Sequence, residues 1–277
     1  MDIVLDFATT SAILFIVTSG LMMIFGVMQI VNFAHGAILS LGGYVAFTVT
    51  QLGMSSYYSW IIAILVGIFT GAVIEKFVVR PLYKRPQDAI LATWGLGIVI
   101  IQLIVIVFGR SVQLVESPLQ GTRHILGVDY SSYRLAMIPI AVVIAVLIIG
   151  LLNGTRTGVR TRAVIMNEYL AESLGINANI IRFFTFSLGA GLGTFAGMMI
   201  TPLSSEDPYM GVSWLTNAFM LVMVSGHSFV SLIFACLLFG PLQVLISIYI
   251  NPVIGGMAIS ILAAATLRIR PKGFCHD

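Results

Sequence analysis

The chain has 277 residues, 58% of them hydrophobic and only 9% charged, with mean hydropathy +1.04 and formal net charge +3. Soluble domains carry about 25% charged residues, so a water-soluble enzyme or nucleic-acid-binding domain is excluded and an integral membrane protein remains. The two cysteines, Cys236 in an apolar run and Cys275 at the tail, form neither a disulfide framework nor a metal-site pattern.

No Asp, Glu, Lys or Arg occurs from Phe7 to Ile74, or again from Pro208 to Leu267. Uncharged apolar runs of that length are membrane spans. Asp2 and Asp6 stand where a signal peptide would carry basic residues, so a cleaved leader is not expected. Cutting the runs at Gly, Pro and charge clusters predicts spans near 7–28, 35–51, 58–79, 89–109, 134–152, 182–201, 213–225, 229–249 and 252–267. Two of them, 35–51 and 213–225, are short for a full crossing and are read as tilted, broken or re-entrant. The expected fold class is an all-α polytopic membrane protein, one transmembrane domain over 1–277 with about 8–9 transmembrane or partly re-entrant helices.

The connections separate by charge. Lys76, Arg80, Lys84, Arg85, Arg156, Arg160, Arg162, Arg182, Arg268, Arg270 and Lys272 fall on one side of the proposed order. Arg110, Arg123 and Arg134 fall on the other, beside Asp2, Asp6, Glu116, Asp129, Glu206 and Asp207. The positive-inside bias makes the first group cytoplasmic, with the N-terminus outside and the C-terminus cytoplasmic.

Polar residues at membrane depth are Gln29, Asn32, His35, Gln102, Asn217, His227 and Gln243. Such groups face a bundle interior or a cavity. Gln29, Asn32, His35 and Asn217 are candidates for a translocation path; the structural alternative is bonding across helices or support of a helix break. Asn32 and His35, three apart, share one helical face. Gly36, Gly42 and Gly43 are expected helix-packing points. His227 is expected at a turn in contact with water. Apart from Glu75 and Lys76 at an inner boundary, no fixed charge is expected in the interior of a span, which favours a neutral solute. A zwitterion served by helix-end dipoles stays open.

The longest basic connection is about 153–181. Within it Met166, Leu170 and Leu174 repeat every fourth residue, and Gly175 is a good terminator, predicting one short amphipathic helix. Lying on lipid and docking a cytoplasmic partner are both compatible with that pattern.

Several stretches carry a family resemblance. MQIVNFAHG (28–36), LYKRPQDAILATWGLGIVI (82–100), TRTGVRTRAVIMN (155–167), TNAFMLVMVSG (216–226) and RPKGF (270–274) resemble the permease subunits of branched-chain amino-acid, urea and amide ABC importers. LATWGL, the RAVxxN of Arg162–Asn167 and NAFMLVMV look closer to the urea-importer permeases. The chain departs from the family at Ala37, where an acidic residue is usual after His-Gly, and over VSGHSFVS (224–231), where a Gly-Gly-x-Gly turn is usual. The resemblance implies a non-enzymatic transport subunit working by alternating access at a bacterial-type inner membrane. It implies a second homologous permease, two cytoplasmic ATPases that bind the ATP and Mg, and an extracytoplasmic binding protein received by loops 110–133 and 202–212. This chain then needs no cofactor of its own. Arg162, Asn167, Glu168, Ala171 and Gly175 would form the coupling loop to the ATPase. The motifs favour urea or a short amide as solute, with a branched-chain amino acid as the alternative. A stand-alone channel or secondary transporter is the competing class, against which stands the lack of a carboxylate at depth. A membrane enzyme using His35 and His227 as acid and base lacks a nucleophile or metal cluster.

Overall fold

A computed structural model describes residues 2–125, 127–226, 228–271 and 273–274. The turn expected at His227, and the terminal Lys272 and Cys275, lie outside the described residues. The helices in chain order are α1 (Asp2–Met28), α2 (Ala34–Gln51), α3 (Tyr57–Ile74), α4 (Pro86–Phe108), α5 (Ser132–Gly154), α6 (Arg156–Met166), α7 (Glu168–Ser173), α8 (Ala178–Ser204), α9 (Met210–Ser225), α10 (Phe229–Tyr249) and α11 (Pro252–Ile269). A π-helical turn, Glu75–Val79, and a 3-10 turn, Arg80–Leu82, extend α3, and an antiparallel hairpin, β1 (Thr122–Ile125) and β2 (Val128–Ser131), precedes α5.

The nine expected spans are α1–α5 and α8–α11. Among the described residues, seven helices are long and apolar enough to cross a membrane, including α3 with its extension. α2 and α9, with 18 and 16 residues, are the two segments that read short in the sequence. Boundaries shift where capping outranks hydropathy. α8 begins at Ala178, four residues before the apolar run, because Asn177 Oδ1 accepts from the Ile180 N–H. Arg182 therefore sits a full turn inside the helix rather than at its start.

The chain divides into two compact units. The first comprises Met1–Thr18, Ser117–Val146 and Thr216–Asp277. In it the Tyr130 hydroxyl, on β2, donates to Asp6 Oδ1 at 2.6 Å and lies 2.9 Å from Thr9 Oγ1, while Arg134 Nη1 donates to the same Asp6 oxygen at 3.4 Å. The hairpin is thereby tied to the start of α1. Toward the other terminus the Phe274 N–H donates to Val224 O at 2.8 Å and its ring stacks on Phe239, which pins Phe274 to α9 and α10.

The second unit comprises Ser19–Glu116 and Leu147–Leu215. α8 is its buried helix, and the composition explains why. SLGAGLGTFAG offers small side chains that let neighbouring backbones approach, which drives helix association in lipid where apolar contact alone gives no preference. The Thr194 hydroxyl of α8 donates to Ala63 O of α3 at 2.7 Å, and Gly71 of α3 lies against Ala190 and Ser187, so α3 and α8 run antiparallel. α3 and α4 instead expose Leu65, Phe69, Trp94 and Ile106 on outer faces suited to lipid.

Candidate functional site

Residues 29–33 connect α1 to α2 without helix. α1 stops as Gln29 turns left-handed, at φ 53°. Asn32 Oδ1 accepts from the Ala34 N–H at 3.1 Å, satisfying a donor that the new helix leaves free. Asn32 and His35 are buried together here, whereas Gln29 is exposed. The His35 ring lies between α1 and α8, so close that a Cβ on Gly193 would stand 2.7 Å from its Cε1. Asn217 belongs to the first unit, where its amide reaches Gly256 O at 3.5 Å. Gln102 is exposed on α4.

The three glycines of α2 are contact points. A Cβ on Gly36 would meet Gly211 O of α9 at 3.0 Å, one on Gly42 would meet Thr194 O of α8 at 1.9 Å, and one on Gly43 would meet Glu206 Oε2 at 1.8 Å. Ala37 is buried between them, at a position where a carboxylate would need a counter-charge.

The basic connection departs from the single amphipathic helix expected of it. α6 and α7 are separate, because Asn167 takes an extended conformation, φ −160° and ψ 101°, and caps α7 through Oδ1 and the Leu170 N–H at 3.0 Å. An Asn at this position satisfies an N-terminal donor of a new helix better than it serves the interior of a continuous one. α7 ends where Gly175 turns left-handed, φ 81°, with the Ile176 N–H donating back to Ala171 O. Ala171 is buried, while Met166, Tyr169 and Leu174 are each more than 80% exposed. Arg162 is exposed on α6.

Beneath α7 is an open groove of about 850 Å³, lined in part by Arg80, Tyr83, Lys84, Glu168, Glu172 and Arg182. Its wall is a continuous chain of polar contacts. The Arg182 guanidinium donates to Glu168 of α7 and stacks on the Tyr83 ring, 4.4 Å from its centroid. The Tyr83 hydroxyl donates to Glu75 Oε1. Arg80 donates to both Glu75 oxygens, at 3.2 and 3.1 Å. Burial, reinforced by the bond to Glu75, pushes the Tyr83 phenol above its ordinary pKa against the opposing Arg182 and Arg80, so it keeps the proton it donates.

Glu206 lies past the other end of α8, in the turn to α9, and is 0% exposed. The Thr201 hydroxyl donates to Oε2 at 2.7 Å, and its backbone pairs with Gln113 through two hydrogen bonds of 2.7 and 2.8 Å. Oε1 has no hydrogen-bond partner among the described residues. Burial raises its pKa to about 8; Asp207 adds to that and the Thr201 bond opposes it. SSEDPY reads as an exposed acidic loop, and nothing local in it signals burial. Likewise, Tyr83 in LYKRP carries no mark of its partners.

The comparisons agree on one family. The profile described as branched-chain amino acid transport system / permease component matches residues 3–266. The probable branched-chain amino acid transport permease protein LivH of Methanocaldococcus jannaschii is 27% identical over 280 residues, 95% of this chain and 88% of the relative. The high-affinity LivH permease of Salmonella typhimurium is 23% identical over 275 residues, 93% and 89% of the two chains. The ribose import permease protein RbsC of Haemophilus influenzae is 26% identical over 205 residues, 72% and 61%. No solved structure gives a significant match. With a match running through every span, the chain belongs to the family of branched-chain amino acid transport permease components and is a multi-pass membrane transport subunit.

Proposed function

We propose that this chain is the permease subunit of an ABC importer for branched-chain amino acids, acting as one permease domain with a second, homologous permease, two ATPases and an external binding protein. The supporting observation is the family match over residues 3–266, together with relatives named for branched-chain amino-acid transport along nearly their whole length. The names of these relatives favour a branched-chain amino acid over the urea or amide solute that the short motifs favoured. The zwitterion needs no carboxylate in a span: the positive N-terminal and negative C-terminal ends of interrupted helices supply partial charges, and α1 is interrupted from α2 at the Asn32–His35 junction.

In this reading α7 faces the cytoplasm and docks the ATPase. Tyr169 of α7, with Met166 at the end of α6 and Leu174 just past α7, presents an outward apolar patch on a segment held in place by Ala171 and Glu168, an anchor suited to a groove in a partner. The N-terminus is then outside and the C-terminus inside, following the basic connections. Asn32 and His35 border the path, and loops 110–133 and 202–212 meet the binding protein.

The test is uptake into proteoliposomes holding the full complex, with labelled leucine, urea and ribose compared at equal concentration. ATP-dependent leucine uptake is expected. Urea or ribose uptake in its place sinks the solute assignment, and uptake that persists without the ATPase subunits sinks the importer reading.

A further inference from the structure

α7 has only six residues, too few to stand as a helix without tertiary support. Its charged attachment is the Glu168–Arg182 pair, and that pair does not end at α8. Arg182 is 15% exposed and lies flat against Tyr83, in the corner between α3 and α4. Tyr83 in turn is anchored to Glu75, which is fully buried at the end of α3 and held from the other side by Arg80. Four side chains thus join α7, the first turns of α8, the α3–α4 corner and the end of α3. Each contact crosses from one element to another.

We propose that Arg182 and Tyr83 are positioning residues that carry movement of α7 into α3 and α8, so that the Glu168–Arg182–Tyr83–Glu75 chain sets how tightly transport follows the ATPase. The proposal rests on α7 being the ATPase-docking helix. Its mechanical logic is directional chemistry. A guanidinium is planar, so one side chain both donates to Glu168 and stacks on Tyr83; a lysine ammonium offers charge without the plane. The phenol keeps its proton, and its bond to a buried carboxylate is charge-assisted. Behind the chain, α3 and α8 are in direct backbone contact through Gly67 and Gly71, where no longer side chain can cushion a shift. A displacement at Glu168 therefore reaches the spans instead of dissipating in a flexible loop.

The test is the number of leucine molecules taken up per ATP hydrolysed by the complete importer, with ATPase retention measured by co-purification. Tyr83→Phe keeps the stack and removes only the hydroxyl; Arg182→Lys keeps the charge and removes the plane. Both variants are expected to retain the ATPase and hydrolyse ATP, yet to lower uptake per ATP by roughly tenfold, equivalent to ~1.4 kcal/mol. A merely structural role would lower the amount of complex and leave that ratio unchanged. An unchanged ratio in Tyr83→Phe overturns the proposal, and Tyr83→Phe decides the matter alone if Arg182→Lys fails to assemble. Failure of the docking reading looks different: the unaltered chain itself would not retain the ATPase.

Discussion

Glu75 and Glu206 are both 0% exposed and lie at opposite ends of α8 in the same unit, separated by roughly 35 Å of helix. Their surroundings differ in almost every other respect. Glu75 meets a two-pronged guanidinium from Arg80 and a phenol from Tyr83. Glu206 meets one hydroxyl, and Oε1 meets no hydrogen-bond partner among the described residues. Burying a carboxylate is tolerable only with a paired charge and satisfied lone pairs, and otherwise the group takes up a proton. Equal burial therefore comes with full hydrogen-bond compensation at one end and with a carboxyl whose pKa is raised to about 8 at the other. What lies within hydrogen-bonding reach separates the two, not depth.

Removing the compensation at Glu75 gives the largest expected effect. Arg80→Ala leaves a buried carboxylate facing only Tyr83 and should destabilise the purified protein by about 3 kcal/mol, at the low end for a broken buried pair because Arg80 is 39% exposed. Thermal unfolding in detergent measures it. Adding Glu75→Gln to Arg80→Ala should recover most of the loss, and a double variant as unstable as the single one would refute the pairing argument. Glu206→Gln, by contrast, should stabilise the protein at neutral pH, because an amide folds without the proton uptake that Glu206 requires there.

The second effect is a pH dependence carried by Glu206. Folding raises its pKa from the ordinary glutamate value, about 4.3, to about 8. The folded state then binds the proton more tightly than the unfolded chain does. Its contribution is complete below the unfolded pKa and is lost as pH rises through the folded one. Stability should therefore fall by about 2 kcal/mol between pH 6 and pH 8, from ~1.4 kcal/mol per pH unit where the two states differ by one proton. Glu206→Gln should flatten that slope while leaving the rest of the profile. A slope that survives the substitution assigns the titration to another group.

How much of this was legible beforehand follows from where the information resides. Span positions are written in local hydropathy and charge, and α1 to α5 and α8 to α11 sit where uncharged runs predicted them. The two short segments also correspond to α2 and α9. The pairing of Arg182 was hidden because Asn177 extends α8 backwards and carries Arg182 into the helix. The break between α6 and α7 depends on whether Asn167 faces a helix start or a helix middle, and the repeat of Met166, Leu170 and Leu174 fits either. Nothing in VIEKFVV or SSEDPY distinguishes Glu75 from Glu206, since each is made unusual by residues distant in sequence or by a backbone turn. Glu206 is packed against Gly43, 163 positions earlier, and the absence of a side chain there gives its carboxyl room.

The smallest effect sharpens the neutral end. Thr201 Oγ1 lies 2.7 Å from Glu206 Oε2 and 2.9 Å from Gly197 O, yet a hydroxyl has one proton to give. With Glu206 protonated, Thr201 can donate to Gly197 O and accept from the acid, so both bonds are made. Once Glu206 ionises, the hydroxyl must turn to the carboxylate and abandon the helix carbonyl. The bond to the charged oxygen is the stronger one, which is why Thr201 opposes the rise in pKa that burial imposes. Thr201→Val keeps the volume and removes the hydroxyl. It should cost about 1 kcal/mol at neutral pH and move the midpoint of the pH–stability curve upward, because the ionised form loses more than the neutral one. A midpoint that stays put or moves down would mean that Thr201 serves the neutral acid at least as well as the anion.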